Sequence, residues 1–208
     1  MHKWKVAGAA LAFALPVTAT QAFEALVESS DPGLGLEPFQ FLREGEQIDL
    51  TGGHMLVLGY PVSCIHERIT AGQVTIGERQ SAVQGGAVER TTLSCGEHVK
   101  LSASERQESG ASAWRDPRAM TPALLNDLAP LLIFDLPPEA VVIQRTDMPD
   151  NPIRLGSPGR AVDFARRGIL LAAGGIYEIS ARGRTRTIEI DFDAQAVGGP
   201  ALTRLVRF

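Results

Sequence analysis

The apolar residues of this chain fall in short alternating runs that glycine keeps interrupting, and such runs suit paired strands. The clearest lies over 184–192. Arg186, Ile188, Ile190 and Phe192 take one face there, and Thr185, Thr187, Glu189 and Asp191 take the other. Further strands are expected over 36–42, 47–50, 54–58, 64–69 and 73–76, with Ile48 and Leu50 sharing a face. Gly85-Gly86 marks another hairpin whose return strand is 90–95, and 97–101 closes the set. Later runs over 131–136, 140–145, 169–171, 176–181 and 202–208 read the same way.

Two stretches break this rhythm. Residues 102–120 are polar and small until Asp116-Pro117, as expected of a long surface loop. Thr121-Pro122 supplies an N-cap and first-turn pair, which predicts a short helix through 128, ended by Pro130. Pro149, Pro152 and Pro158 mark a loop-rich interval. The expected fold is mainly β: two small antiparallel β modules, or one split β sandwich, with a short central helix. The expected division is an N-terminal β domain over 23–102, a linker with the helix over 103–129 and a C-terminal β domain over 130–208.

The first 22 residues read differently. Lys3 and Lys5 precede an apolar run over 6–15, and small residues follow at Ala19, Thr20 and Ala22. A basic start, a short apolar stretch and small residues two apart are the three regions of a secretory signal peptide. The apolar run is far shorter than the roughly 20 residues that span a bilayer as a helix. Cleavage is expected after Ala22, with Ala19 the other candidate, leaving a periplasmic or secreted chain with no transmembrane segment.

Removing 1–22 changes the balance from 20 basic and 24 acidic residues to 18 and 24. The charge is uneven: 23–110 carries 13 acids and 6 bases, whereas 111–208 carries 11 acids and 12 bases. Neither part has the concentrated basic footprint of a nucleic-acid binder.

Cys64 and Cys95 are the only cysteines. In an exported chain their simplest use is one structural disulfide. Cys64-x-His66 and Cys95-x-x-His98 together offer a zinc-type set of two sulfurs and two nitrogens as the alternative. A free thiol beside His54, His66 or His98 would be a nucleophile, but no orienting acid or oxyanion hole accompanies it. Gly52-Gly53, Gly85-Gly86 and Gly174-Gly175 lack the helix and lysine of a phosphate loop, and no G-x-S-x-G elbow is present. No catalytic set, cofactor or metal is therefore expected.

Three features remain as candidate sites. Arg182, Arg184 and Arg186 alternate on a hairpin and form a possible interaction patch, unless neighbouring acids pair with them across the strands. Glu189, Asp191 and Asp193 would share a strand face, as a solvated edge, a calcium patch or an acid–base pair. Trp114 is a packing anchor or a ligand platform.

One segment carries a family likeness. Leu42-x-x-Gly45-x-x-Ile48-x-Leu50-x-x-Gly53, the run 55–58 and Gly72-Gln73-Val74-Thr75-Ile76 together resemble the strand-and-turn pattern of FecR-like extracytoplasmic β domains, over roughly 36–101. That resemblance implies a stacked β domain used in signalling or protein contact, with no catalytic residues to carry over. Together these features favour an exported, non-enzymatic interaction or structural module of the bacterial envelope that contacts another envelope protein or a surface polymer. The alternative is a small hydrolase or ligand-binding protein acting on an envelope polymer or small molecule.

Overall fold

The computed structural model describes residues 23–95 and 122–208. The signal-like stretch, the strand expected over 97–101, the loop 102–120, His98 and Trp114 lie outside the described residues.

Before the undescribed loop, two sheets share one core. Strands β1 (Phe23–Ser30), β2 (Phe41–Arg43), β4 (Met55–Tyr60), β5 (Ile65–Thr70) and β8 (Ala87–Thr92) form an antiparallel sheet in the order β2-β1-β4-β5-β8. Strands β3 (Gln47–Asp49), β6 (Gln73–Thr75) and β7 (Ala82–Gln84) form a smaller antiparallel sheet. The chain crosses between the sheets after β2, β3, β5 and β7, whereas β6 and β7 pair within the small sheet. Gly85-Gly86, expected to close a hairpin, instead carries the chain from β7 in the small sheet to β8 in the large one.

β4 is buried nearly throughout, which explains its apolar run without alternation. Leu56, Leu58 and Tyr60 join Ala25, Val27, Leu50, Ile69, Val74 and Ile76 in the core between the two sheets. On the opposite face a side chain is excluded at Gly59, because a Cβ there would lie 2.7 Å from Leu202 Cγ. Leu202 belongs to a second cluster with Leu26, Leu131, Ile133, Ala201 and Leu205, against which Phe39 and Phe41 pack. The first strand of the described chain is thus covered by residues from near its end.

After the loop, β9 (Ala123–Leu125), β11 (Ala140–Arg145), β12 (Met148–Gly156), β14 (Ile176–Ala181) and β15 (Arg184–Ile190) form a sheet in the order β12-β11-β14-β15-β9. β10 (Leu131–Ile133), β13 (Ala161–Asp163) and β16 (Leu205–Arg207) form another, in the order β13-β10-β16. β9 runs parallel to β15, and β16 parallel to β10. A core built on Leu132, Phe134, Ile143, Val162, Phe164, Ile179, Ile188 and Val206 lies between them.

The structure corrects several expectations. The predicted helix at 121–128 is absent: Ala123–Leu125 is strand β9, with Leu125 buried and Leu124 exposed. The free edge of β15 decides this against the local capping signal, since tertiary pairing overrides weak helix propensity. Among the described residues helical structure is confined to two three-residue 3₁₀ turns, Pro32–Leu34 and Ala201–Thr203. The proline-marked interval contains the nine-residue β12, because it is an edge strand and its prolines need not donate to a ladder. Residues 169–171 form no strand, although Leu171 is buried and donates its N–H to Leu128 C=O. No helix among the described residues is long and apolar enough to cross a membrane, which says nothing of a β-barrel.

Candidate functional site

The β14–β15 hairpin turns through Arg182 and Gly183, both in the left-handed region at φ 51° and 73°. Two such residues between paired Ala181 and Arg184 make a tight turn whose twist matches the flanking strands. Arg182 therefore sits at the turn rather than in the alternation, and its Nη1 donates to Pro137 C=O at 3.2 Å. Arg184 and Arg186 do alternate, on the face that Ile188 and Ile190 bury farther along. Their cross-strand neighbours are Ala181 and Ile179, so no acid stands opposite either cation. Among the described residues neither arginine enters an ion pair, and both are exposed.

The carboxylates expected to share a face do not. β15 ends at Ile190, and Asp191 Oδ1 accepts the Asp193 N–H at 2.8 Å, folding both into a turn. Phe192, expected to share the face of Ile188 and Ile190, is 79% exposed for the same reason. Glu189 stays on the strand, flanked by Ile176 on β14 and Leu124 on β9.

Cys64 and Cys95 form a disulfide, with Cα atoms 5.9 Å apart and a sequence separation of 31. Their sulfurs are consumed by the bond, leaving no thiolate for zinc or for nucleophilic attack. Among the described residues no three metal-type side chains converge. His54 pairs with Asp31 at 3.6 Å beside the start of β4. His66 instead reaches over Gly59 to Glu28, Nε2 to Oε2 at 3.5 Å. That contact raises the His66 pKa, against an opposing effect of burial. Glu28 Oε1 is buried without a hydrogen-bond partner.

Glu28 also lines a cleft of about 470 Å³, together with Phe39, Asp163, Arg166, Val197 and Arg204. A volume of that order lies within the range of small-molecule sites. Phe39 holds a strained φ of 68° there, with the Arg166 guanidinium 4.8 Å above its ring. The cleft floor is a finished polar network. Arg204 grips Asp163 through two bonds of 2.8 and 3.1 Å and also donates to Gly199 and Ala129 carbonyls. Burial pushes the Asp163 carboxyl up, but Arg204 and the Ala165 and Arg166 N–H groups outweigh it and hold the pKa below the usual value. Asp127 accepts from the N–H groups of Ala129, Gly198 and Gly199. Asp163, Arg204 and Asp127 are thereby satisfied, so the cleft offers a ligand mainly Glu28, whose Oε1 has no partner, and the Arg166 guanidinium, which lies 3.5 Å from Asp163 and whose side chain is 58% exposed.

The sequence reading missed this network and the buried Glu67. Glu67 carries a usable signal, because it shares a strand face with Ile65 and Ile69. It is fully buried, accepts Ser81 N–H on both oxygens and pairs with Arg90 at 2.7 Å. Ser81 in turn hydrogen-bonds the Tyr60 hydroxyl at 2.7 Å, and burial pushes the Tyr60 pKa upward. Asp127, Asp163 and Arg204 lie in turns or short strands where no alternation points inward.

Compared with known proteins, the chain matches no family model, no curated protein and no solved structure.

Proposed function

We propose that this is an exported, non-enzymatic interaction module of the bacterial envelope, which holds an acidic partner protein through Arg182, Arg184 and Arg186. The observation that carries this reading is the absence of any acid opposite Arg184 and Arg186 on β14. Acids opposite these cations would partly neutralise them, and a pair left without such acids keeps its charge available to a partner. Export rests on the signal-like 1–22, and the short strands over 41–92 support a sandwich-type reading of that segment. The hydrolase alternative loses the carboxylate face as a support, since Asp191 closes its own turn. A ligand-binding role keeps one supporting observation, the cleft beside Phe39 and Arg166.

The test is affinity capture of the mature chain from its native envelope. The wild-type chain is expected to retain a reproducible acidic partner that elevated salt releases. The Arg182→Ala/Arg184→Ala/Arg186→Ala variant is expected to lose it, and equal capture by both would remove the patch. N-terminal sequencing of the exported protein should begin at Phe23, and an intact Met1 on the cytosolic protein would reject export.

A further inference from the structure

Resting on that reading of the arginine hairpin, we propose that Arg184–Thr187 is a strand-addition site for an extended acidic peptide segment. β14 pairs with β15 from Arg184 through Glu189, whereas β9 takes only Ile188, Glu189 and Ile190 on the other side. Among the described residues the β9-side edge of Arg184, Thr185, Arg186 and Thr187 is therefore unpaired. Pro122 immediately precedes β9 and has no N–H with which to extend its ladder.

The polarity of that edge follows from two bonds at the far end of the strand. Ile190 N–H donates toward β14, to Gly175 C=O, and Asp191 N–H donates toward β9, to Leu125 C=O. Successive strand residues point their amides to opposite sides. Thr185 and Thr187 consequently direct their N–H groups to the bare edge, with Arg184 and Arg186 flanking them on one face. An added strand would find backbone partners at the threonines and two cations at alternate positions, matching acids two residues apart.

The same arrangement excludes a second copy of this edge as the occupant, because its arginines would face like charges. The opposite edge of the sheet differs. β12 carries Pro149 and Pro152 there, which blunt strand addition.

The experiment uses the mature chain and a synthetic six-residue peptide of alternating Thr and Glu, read by calorimetry at low salt. A second peptide carries N-methyl groups on alternate amides, in each of the two phases, and inorganic polyphosphate serves as an anion without a peptide backbone. The unmodified peptide should bind, one phase of N-methylation should weaken it about fivefold, and each of Arg184→Ala and Arg186→Ala about threefold. Thr185→Pro, which keeps both cations, should match the N-methyl effect. Its fold is checked by circular dichroism, and the peptide pair decides the matter if it unfolds. Equal binding of methylated and unmethylated peptides, or tighter binding of polyphosphate, would overturn strand addition while leaving the cationic patch standing. No binding of either anion would overturn the patch reading itself.

Discussion

Each half of the described chain buries a carboxylate against an arginine, but the two pairs are sealed to different degrees. In the second half Asp163 and Arg204 side chains are both 6% exposed, and Arg204 also ties two loops together through Gly199 and Ala129. In the first half Glu67 is fully buried while Arg90 remains 35% exposed, and a disulfide braces the same sheet where β5 begins and β8 ends. The contrast shows two ways of anchoring chains rich in irregular turns: a covalent bond with a water-facing ion pair, or a closed polar network with no covalent help. A buried pair is poor evidence of net stabilisation, yet breaking one strands a charge.

The largest effect should come from the sealed pair. Arg204→Ala strips Asp163 of both short guanidinium bonds, leaving the Arg166 guanidinium at 3.5 Å and two backbone N–H groups, and should cost about 4 kcal/mol in urea unfolding. A loss near that of a surface arginine would show that water reaches Asp163 and that the two pairs are alike. Next, Cys64→Ser/Cys95→Ser should cost about 3.7 kcal/mol, the loop-closure value for a separation of 31. Reductant should lower the wild-type chain by a similar amount and leave the double variant unmoved. Arg90→Ala should cost less, about 2 kcal/mol, because Ser81 N–H still serves Glu67 and solvent can enter where Arg90 stood. A cost equal to that of Arg204→Ala would erase the distinction.

The smallest effect is a pH dependence in the first half. Glu28 raises the folded-state pKa of His66 above the ordinary 6.5. The pair's contribution is therefore full below that ordinary value and fades as pH rises through the higher folded value. It should stay below about 1 kcal/mol and vanish in Glu28→Gln, measured as unfolding midpoints across pH 5 to 9. A wild-type profile that rises with pH over this window would contradict the assigned pair.

The same comparison explains what could be read from the sequence. Where one face is wet, alternation marked the strands, as along β14–β15 and β3–β6. β1 gave no such signal, because Ala25, Leu26 and Val27 are all buried and the strand is covered on both faces. β12 was hidden by prolines that an edge strand tolerates, and β9 by a capping signal that β15 overrode. Of the site, the alternation of Arg184 with Arg186 and the cysteine pairing were legible, whereas the place of Arg182 in the turn was not. The second half's network was not, since its members are brought together by turns far apart in sequence. Glu28 likewise meets His66 only because Gly59 on the intervening strand has no side chain.

The parallel seating of β16 beside β10 sets the order in which this molecule can be completed. Leu131, Leu132 and Ile133 find their neighbours at Leu205, Val206 and Arg207, and Leu26 is shielded by that same cluster. A chain emerging amino end first from the ribosome holds β1 half-uncovered until Ala201, Leu202 and Leu205 arrive. Assembly is in that sense closed from the back, and removing the last strand should leave an adhesive surface on the first.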